Sequence, residues 1–387
     1  MSYRLPLILA VMLLATATLY AAEPPPPVPA KGDVKAQTLE AIKKAQKFLI
    51  DNANEDGTFG KGFAHGVPGV VALATYGLAS GPAKLTADKA PALAKAAEYL
   101  VGKQDAKGAI WIPKFQNANY NTSTAVMALK ALNDPKYNEV LDKAKEFILN
   151  CQLDEKAGYE KDVHIRSYGG FAYAMSLQAN LSNTIFAMDA LKDLGLKEDS
   201  PAFKNALTFV RRCQDNLETN DSPEMKFGDN AGGFVYLPGE SEHDTFKTRA
   251  GKEAPVPYGN MSFQGLRALL YCGLGKDSPE VKAAMKYIRA NYDVKNQPGL
   301  PDASKGQGYF YYTVALARCL SVYGESELDL GGGKKAAWGN DLGGYLATIQ
   351  KADGSFVNPV DRWQENDPIL CTSYALIALN LAYENIK

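Results

Sequence analysis

The chain has 387 residues, 46% of them hydrophobic, and its 42 basic and 43 acidic side chains leave a formal net charge of −1. That apolar content suffices for a large core. The balanced charge excludes the basic face that nucleic acid or an anionic membrane surface would need.

Residues 1–22 read as a secretory signal peptide, with Arg4 as the basic start, Leu5 to Leu19 as the apolar stretch and Ala21-Ala22 as a cleavage point. The expected location is therefore outside the cytoplasm, periplasmic or extracellular, with no stable membrane span in the mature chain. Residues 23–35 form a Pro-rich spacer, stiff from Pro24 to Pro29. Five cysteines are an odd number for an exported chain, so at least one is free or paired in trans. Cys151 and Cys213 each precede an equivalent Gln. They read either as a disulfide or as small buried apolar side chains.

From residue 36 to 387 one sentence recurs. Its clearest copy is Tyr345-Leu346, Gln350, Gly354 and Phe356, the end of an amphipathic helix followed by an Asp-Gly turn. Phe48-Leu49 leads to Gly57 and Phe59 with Ala53 at the Gln position, and Tyr99-Leu100 leads to Gln104, Gly108 and Trp111. Phe147-Ile148 leads to Gln152 and Gly158-Tyr159. Phe209-Val210 leads to Gln214, where the turn dissolves into an insertion, and Tyr287-Ile288 is a weak copy with Tyr292 at the Gln position. The Gln is expected to bond a neighbouring backbone and the aromatic to seal the seam between helices.

Each copy separates two helices. The first of each pair is amphipathic, over about 36–52, 88–104, 136–152, 200–214, 278–292 and 335–350. Asp199-Ser200-Pro201 and Asp277-Ser278-Pro279 supply capping signals for two of them. The second is apolar on most sides and so buried, over about 67–80, 121–133, 182–195, 260–274, 309–323 and 369–384. Six such pairs predict an all-α toroid of six outer and six inner helices, rather than an open solenoid. Links from outer to inner helix are long, above all Asp215 to Pro257, and they gather at the end that carries the inner-helix N-termini. The site is expected there.

These motifs, with Tyr168-Gly169-Gly170-Phe171-Ala172-Tyr173 and Ala231-Gly232-Gly233-Phe234-Val235-Tyr236, resemble the prenyltransferase and squalene-cyclase repeat superfamily over roughly residues 36–385. The resemblance implies the toroid, while one scaffold hosts unrelated chemistries. The Asp-x-Asp-Asp acid of squalene-type cyclases is absent, as is the Gly-Cys-Gly-Glu-Gln of complement-like thioester toroids. Protein prenyltransferases hold zinc with Asp-x-Cys on one inner helix and His on the next. Aligning the inner helices gives a column His65, Asn121, Asn183, Met261, Tyr312, Cys371, which places Cys371 and His65 in that order around a closed ring. Ile369 replaces the expected Asp and Asp367 lies two residues early, so these three are the zinc candidates, against a buried Cys and a loop His that never meet. No other cofactor is expected.

The next column, Gly66, Thr122, Thr184, Ser262, Thr313 and Thr372, reads as caps or as a polar mouth. Asp189, Arg267 and Arg318 share a column on consecutive inner helices and read as a structural ion-pair network. Aromatics including Trp111, Tyr173, Tyr236, Phe310, Tyr311 and Trp363 gather near the long-loop end. The cavity-mouth candidates are His65, Asn121, Asn183, Tyr312, Cys371 and Trp363. Within the insertion, Gly232 to Tyr236 is expected to be ordered. Glu240 to Glu253 is expected to be mobile, either as a partial lid with His243 and Asp244 its only chemical groups or as a passive surface excursion. Three function classes stay open: a ligand-binding or scaffold toroid, an enzyme on an isoprenoid substrate, and a carbohydrate-active lyase or hydrolase.

Overall fold

The computed structural model describes residues 34–62, 65–115, 117–173, 178–241, 246–249 and 251–387. The signal peptide, most of the spacer, and His243 and Asp244 lie outside them. Helix α1 (Val34–Asp51) starts two residues ahead of the expected domain boundary and opens a strict alternation. Outer helices α1, α3 (Pro91–Val101), α5 (Asn138–Asn150), α7 (Pro201–Arg212), α9 (Pro279–Ala290) and α11 (Trp338–Ile349) alternate with inner ones. The inner helices are α2 (Pro68–Ala79), α4 (Ala118–Leu132), α6 (Leu181–Asp193), α8 (Gly259–Tyr271), α10 (Tyr309–Tyr323) and α12 (Pro368–Glu384).

The outer helices bury one stripe, as in α5, where only Leu141, Ala144 and Ile148 are buried. The inner helices are buried nearly all round, because each is covered outside by its partner and on both sides by its neighbours. Each inner helix packs on the next, and α12 packs back on α2, so the ring is closed. The caps read from the sequence form as expected, with Ser200 Oγ accepting from Phe203 N–H and Ser278 Oγ from Val281 N–H.

The recurring Gln is the seam of the outer ring. Gln350 Nε2 donates to Gly354 O in its own turn at 3.0 Å and to Ala41 O at 2.9 Å, joining the last outer helix to the first. Gln104, Gln152 and Gln214 repeat this double bond, reaching Val140 O, Ala202 O and Glu280 O on the following outer helix at 2.8 Å each. In the fifth copy Tyr292 takes over, its hydroxyl donating to Asp341 of α11 at 3.1 Å. The turn glycine has no alternative: Gly354 sits at φ +88°, and a Cβ there would overlap the Lys44 carbonyl.

This geometry corrects three alignments. In the second copy the structural aromatic position is Ile110, not Trp111, so the copy is not longer; Trp111 bonds Asp105 at the surface. In the third, Gly169 and Phe171 close the turn, whereas Gly158 ends a separate short turn with nothing around it. In the fourth the turn does not dissolve but resumes at Gly232 and Phe234 after an excursion. The small hydroxyl column also has a different role from a cap or a mouth. Thr122, Thr184, Ser262 and Thr372 accept the backbone N–H of Ile110, Phe171, Phe234 and Phe356 at 2.9–3.0 Å, pinning each turn to its inner helix.

The insertion carries a hairpin of β1 (Phe246–Arg249) and β2 (Lys252–Pro255), paired antiparallel from Phe246↔Pro255 to Arg249↔Lys252. The polar run expected to be mobile thus contains regular structure, which packs on the short turn at Pro223–Met225. A second hairpin, β3 (Leu328–Gly331) with β4 (Lys334–Ala336), links α10 to α11. Among the described residues no helix is long and apolar enough to cross a membrane.

Candidate functional site

The inner-helix N-termini surround a half-open cavity of about 430 Å³ at the long-loop end. Its lip is formed by Trp363 and Gln364 on one side and by Tyr173 and Tyr236 on the other. The walls descend through Val70, Asn117 and Ser182 to Leu73, Tyr120, Tyr311 and Tyr374.

Several polar atoms of this surface are paired with one another, whereas Asn183 Oδ1 and Gln297 Oε1 have no partner among the described residues. The Tyr120 and Tyr374 hydroxyls share a hydrogen bond of 2.7 Å, and Ser182 and Tyr311 one of 2.6 Å. At the lip the Tyr173 and Tyr236 hydroxyls are 3.2 Å apart. Burial pushes the Tyr120 hydroxyl up to about 12, so it stays protonated and neutral. Each pair satisfies its hydroxyls mutually, so the tyrosine rings contribute mainly aromatic surface to the lining.

Among the described residues Glu365 is the only acidic one in the lining, and it is 1% exposed. Oε1 accepts from Tyr311 N–H at 2.9 Å; Oε2 accepts from Phe310 N–H at 3.2 Å and Asn358 Nδ2 at 2.7 Å. The carboxylate therefore caps α10, whose own N-cap residue Gly308 has no side chain for the task. Burial raises its pKa to about 6 against the pull of Asn358 and the α10 amides.

One turn below Ser182, Phe186 closes the cavity, its ring centroid 4.5 Å from that of Tyr120 and 6.0 Å from that of Tyr311. Under it lies the expected ion-pair network. Asp189 Oδ2 accepts from Arg267 Nη2 at 2.9 Å and Arg318 Nη1 at 3.0 Å, while Oδ1 accepts from the Tyr271 hydroxyl at 2.9 Å. Arg318 also lies over the Tyr76 ring, 4.9 Å from its centroid. The network joins α6, α8 and α10 beneath the floor and is not part of the cavity wall.

Of the six mouth candidates, Asn121, Asn183 and Trp363 line the cavity. Asn121 is also a cap, its Oδ1 accepting from Gly69 N–H on α2 at 3.0 Å. Tyr312 does not line it: the side chain is fully buried and its hydroxyl donates to Asp293 O at 2.6 Å. Cys371 is also sealed, its thiol donating to Glu365 O at 2.7 Å. His65 lies in the loop before α2, half exposed, with Nε2 3.4 Å from Asp56. The column misplaced it, because α2 begins only at Pro68 whereas Cys371 is already inside α12.

The three zinc candidates are thus engaged separately. Asp367 caps α12 through Ile369 N–H and Leu370 N–H, at 2.8 and 3.1 Å. They do not fit a shared metal, and among the described residues no three His, Cys, Asp or Glu side chains converge. All five cysteines are free, and burial pushes the thiols of Cys151, Cys272 and Cys319 up to about 12.

Two adjacent columns line the cavity: Asn121, Asn183 and Met261 from the column read from the sequence, and Tyr120, Ser182, Asn260, Tyr311 and Leu370, which immediately precede the aligned positions. One residue is a rotation of about 100°, enough to move a side chain from the cavity wall to the contact with the next inner helix. Glu365 and Tyr374 carried no local sequence signal. Of the residues described between Gly239 and Glu253, none lines the cavity; the insertion contributes Tyr236.

A closed ring of helix pairs is a fold shared with solved terpene cyclases and with a glycosidase. Residues 68–235 match the family model of the squalene-hopene cyclase C-terminal domain. Among solved structures, the type II terpene cyclase MstE from Scytonema, without ligand, superposes with a TM-score of 0.53 at 14% identity, covering 91% of this chain and 99% of that one. A complex of an MstE variant with the substrate geranylgeranyl dihydroxybenzoate gives 0.54 at 14% identity over the same shares. A glycosidase variant gives 0.54 at 10% identity, covering 92% of this chain and all of the other. These identities establish the fold alone. No curated protein matches the chain.

Proposed function

We propose that this is an exported toroid that binds one small, uncharged, predominantly apolar molecule in its central cavity and carries out no cyclisation on it. The observation that carries the reading is the self-pairing of the tyrosine hydroxyls, which leaves a wall of aromatic faces. Such rings offer dispersion and apolar burial, with the Asn183 and Gln297 side-chain oxygens among the few polar atoms left without a partner. The Glu365 carboxylate is buried and held by backbone amides and Asn358, which argues against its reaching a substrate as a proton donor. Glycoside hydrolysis commonly needs a pair of carboxylates flanking the bond, and among the described residues the lining supplies only Glu365. The structural neighbour MstE has been seen with a geranylgeranyl-bearing substrate, which favours a ligand of comparable polarity here. Export rests on the first 22 residues of the sequence.

The test is titration with N-phenyl-1-naphthylamine, a neutral apolar dye that brightens when sheltered from water. Saturable binding to the wild type and its loss in Val70→Phe, at unchanged melting temperature, is the expected result. Equal binding by both proteins would place the dye elsewhere and overturn the reading.

A further inference from the structure

We propose that the turn Arg362–Glu365 is the gate of this cavity, with the Trp363 indole as its moving part and the Glu365 carboxylate as its anchor; the inference rests on the binding function just argued. Trp363 and Gln364 are consecutive residues at φ 64° and 65°. Left-handed backbone is costly for residues with a Cβ, and Asn, which occupies the two other such non-glycine positions among the described residues, tolerates it best. Two adjacent strained residues persist only where their surroundings over-determine them.

The surroundings here are unequal. Glu365, directly after the strained pair, is fixed from several sides. Its carboxylate takes two α10 amides and Asn358, and Asn358 in turn donates to Gly306 O at 2.7 Å. Its carbonyl takes the Cys371 thiol of α12 and Asn358 N–H. The indole on the other side of Gln364 has no comparable hold. Trp363 is 46% exposed; among the described residues it is stacked only by the Arg362 guanidinium, 4.4 Å from its ring, and it lies beside Gly308, which has no side chain to interlock with it. One end of the turn is therefore bolted to two inner helices while the other spans the mouth on a strained backbone. Relaxing the pair to negative φ swings the indole off the lip at the expense of the 3.4 Å bond from Glu365 N–H to Arg362 O, while the Glu365 side chain stays anchored, and Pro359 bounds the moving segment on its N-terminal side.

The test is stopped-flow mixing of the full mature chain with N-phenyl-1-naphthylamine. A gate sets the barrier in both directions, so Trp363→Ala is expected to raise association and dissociation rates together, by about tenfold, with little change in Kd. Glu365→Gln, which keeps the volume but weakens the anchor, should accelerate both rates in the same sense with the indole still present. If Trp363→Ala speeds dissociation alone and weakens Kd, Trp363 is simply a wall residue and the gate is overturned. Unchanged rates overturn it too. Absence of dye binding to the wild type would instead defeat the binding function itself, and the gate with it.

Discussion

Replacing Asp189 by Ala should be among the most damaging single changes in this chain. The carboxylate is 2% exposed and takes two guanidinium groups and a phenol from α8 and α10. Its removal leaves Arg267, itself 2% exposed, without its anion. Breaking a buried ion pair by deleting one partner costs about 3–5 kcal/mol, because the surviving charge stays desolvated. Asp193 also acts on Arg318 and offsets part of that charge, which points to the lower half of the range. The assay is guanidinium chloride unfolding followed by both circular dichroism and tryptophan fluorescence, since coincident transitions are needed before a free energy is assigned. The triple variant Asp189→Leu, Arg267→Met, Arg318→Met should recover most of the loss, as apolar replacements of whole buried networks do. A cost below about 1 kcal/mol for Asp189→Ala would refute the reasoning, since it would mean that water reaches these charges as freely as at a surface. Dye binding should be retained in every one of these variants that folds, because Phe186 separates the network from the cavity.

Gln350→Ala, which removes the bond joining the last outer helix to the first and the bond within its own turn, should cost about 1–2 kcal/mol in the same unfolding assay, and an unchanged midpoint would show that the seam is not held by this side chain. Phe356→Ala, at a fully buried ring, should cost about 3–5 kcal/mol, with calorimetry as the check. Glu365 has a folded-state pKa raised to about 6 from 4.5, so its own contribution to stability is fully present below 4.5 and is lost, by about 2 kcal/mol, as pH rises through 6; Glu365→Gln should flatten that part of the slope in pH-dependent unfolding. Purified protein incubated with squalene should yield no cyclised product by gas chromatography–mass spectrometry, and hopene-like products would contradict the assignment of Glu365 as a sealed cap.

The sequence alone determined the ring. Burial of an apolar stripe or of a whole helix is written locally as periodicity, and the Gln-to-aromatic sentence marks most of the places where an outer helix hands over to an inner one. Even the partner of the Asp189 charge was legible, because a buried ion at one place on an inner helix needs its counter-ion at the same depth on the next. The cavity was not legible to the same precision. Which column of an inner helix faces the axis depends on its rotation, and one residue of misregister exchanges Tyr311 for Tyr312 and Leu370 for Cys371. That rotation is fixed by packing against neighbours about 50 residues away or more, not by anything within the helix. The same holds for Glu365, whose capping of α10 joins positions more than 50 residues apart, and for the paired hydroxyls of Tyr120 and Tyr374, 254 residues apart. Only the closed tertiary structure brings those groups together, and that meeting gives the cavity its aromatic, uncharged wall.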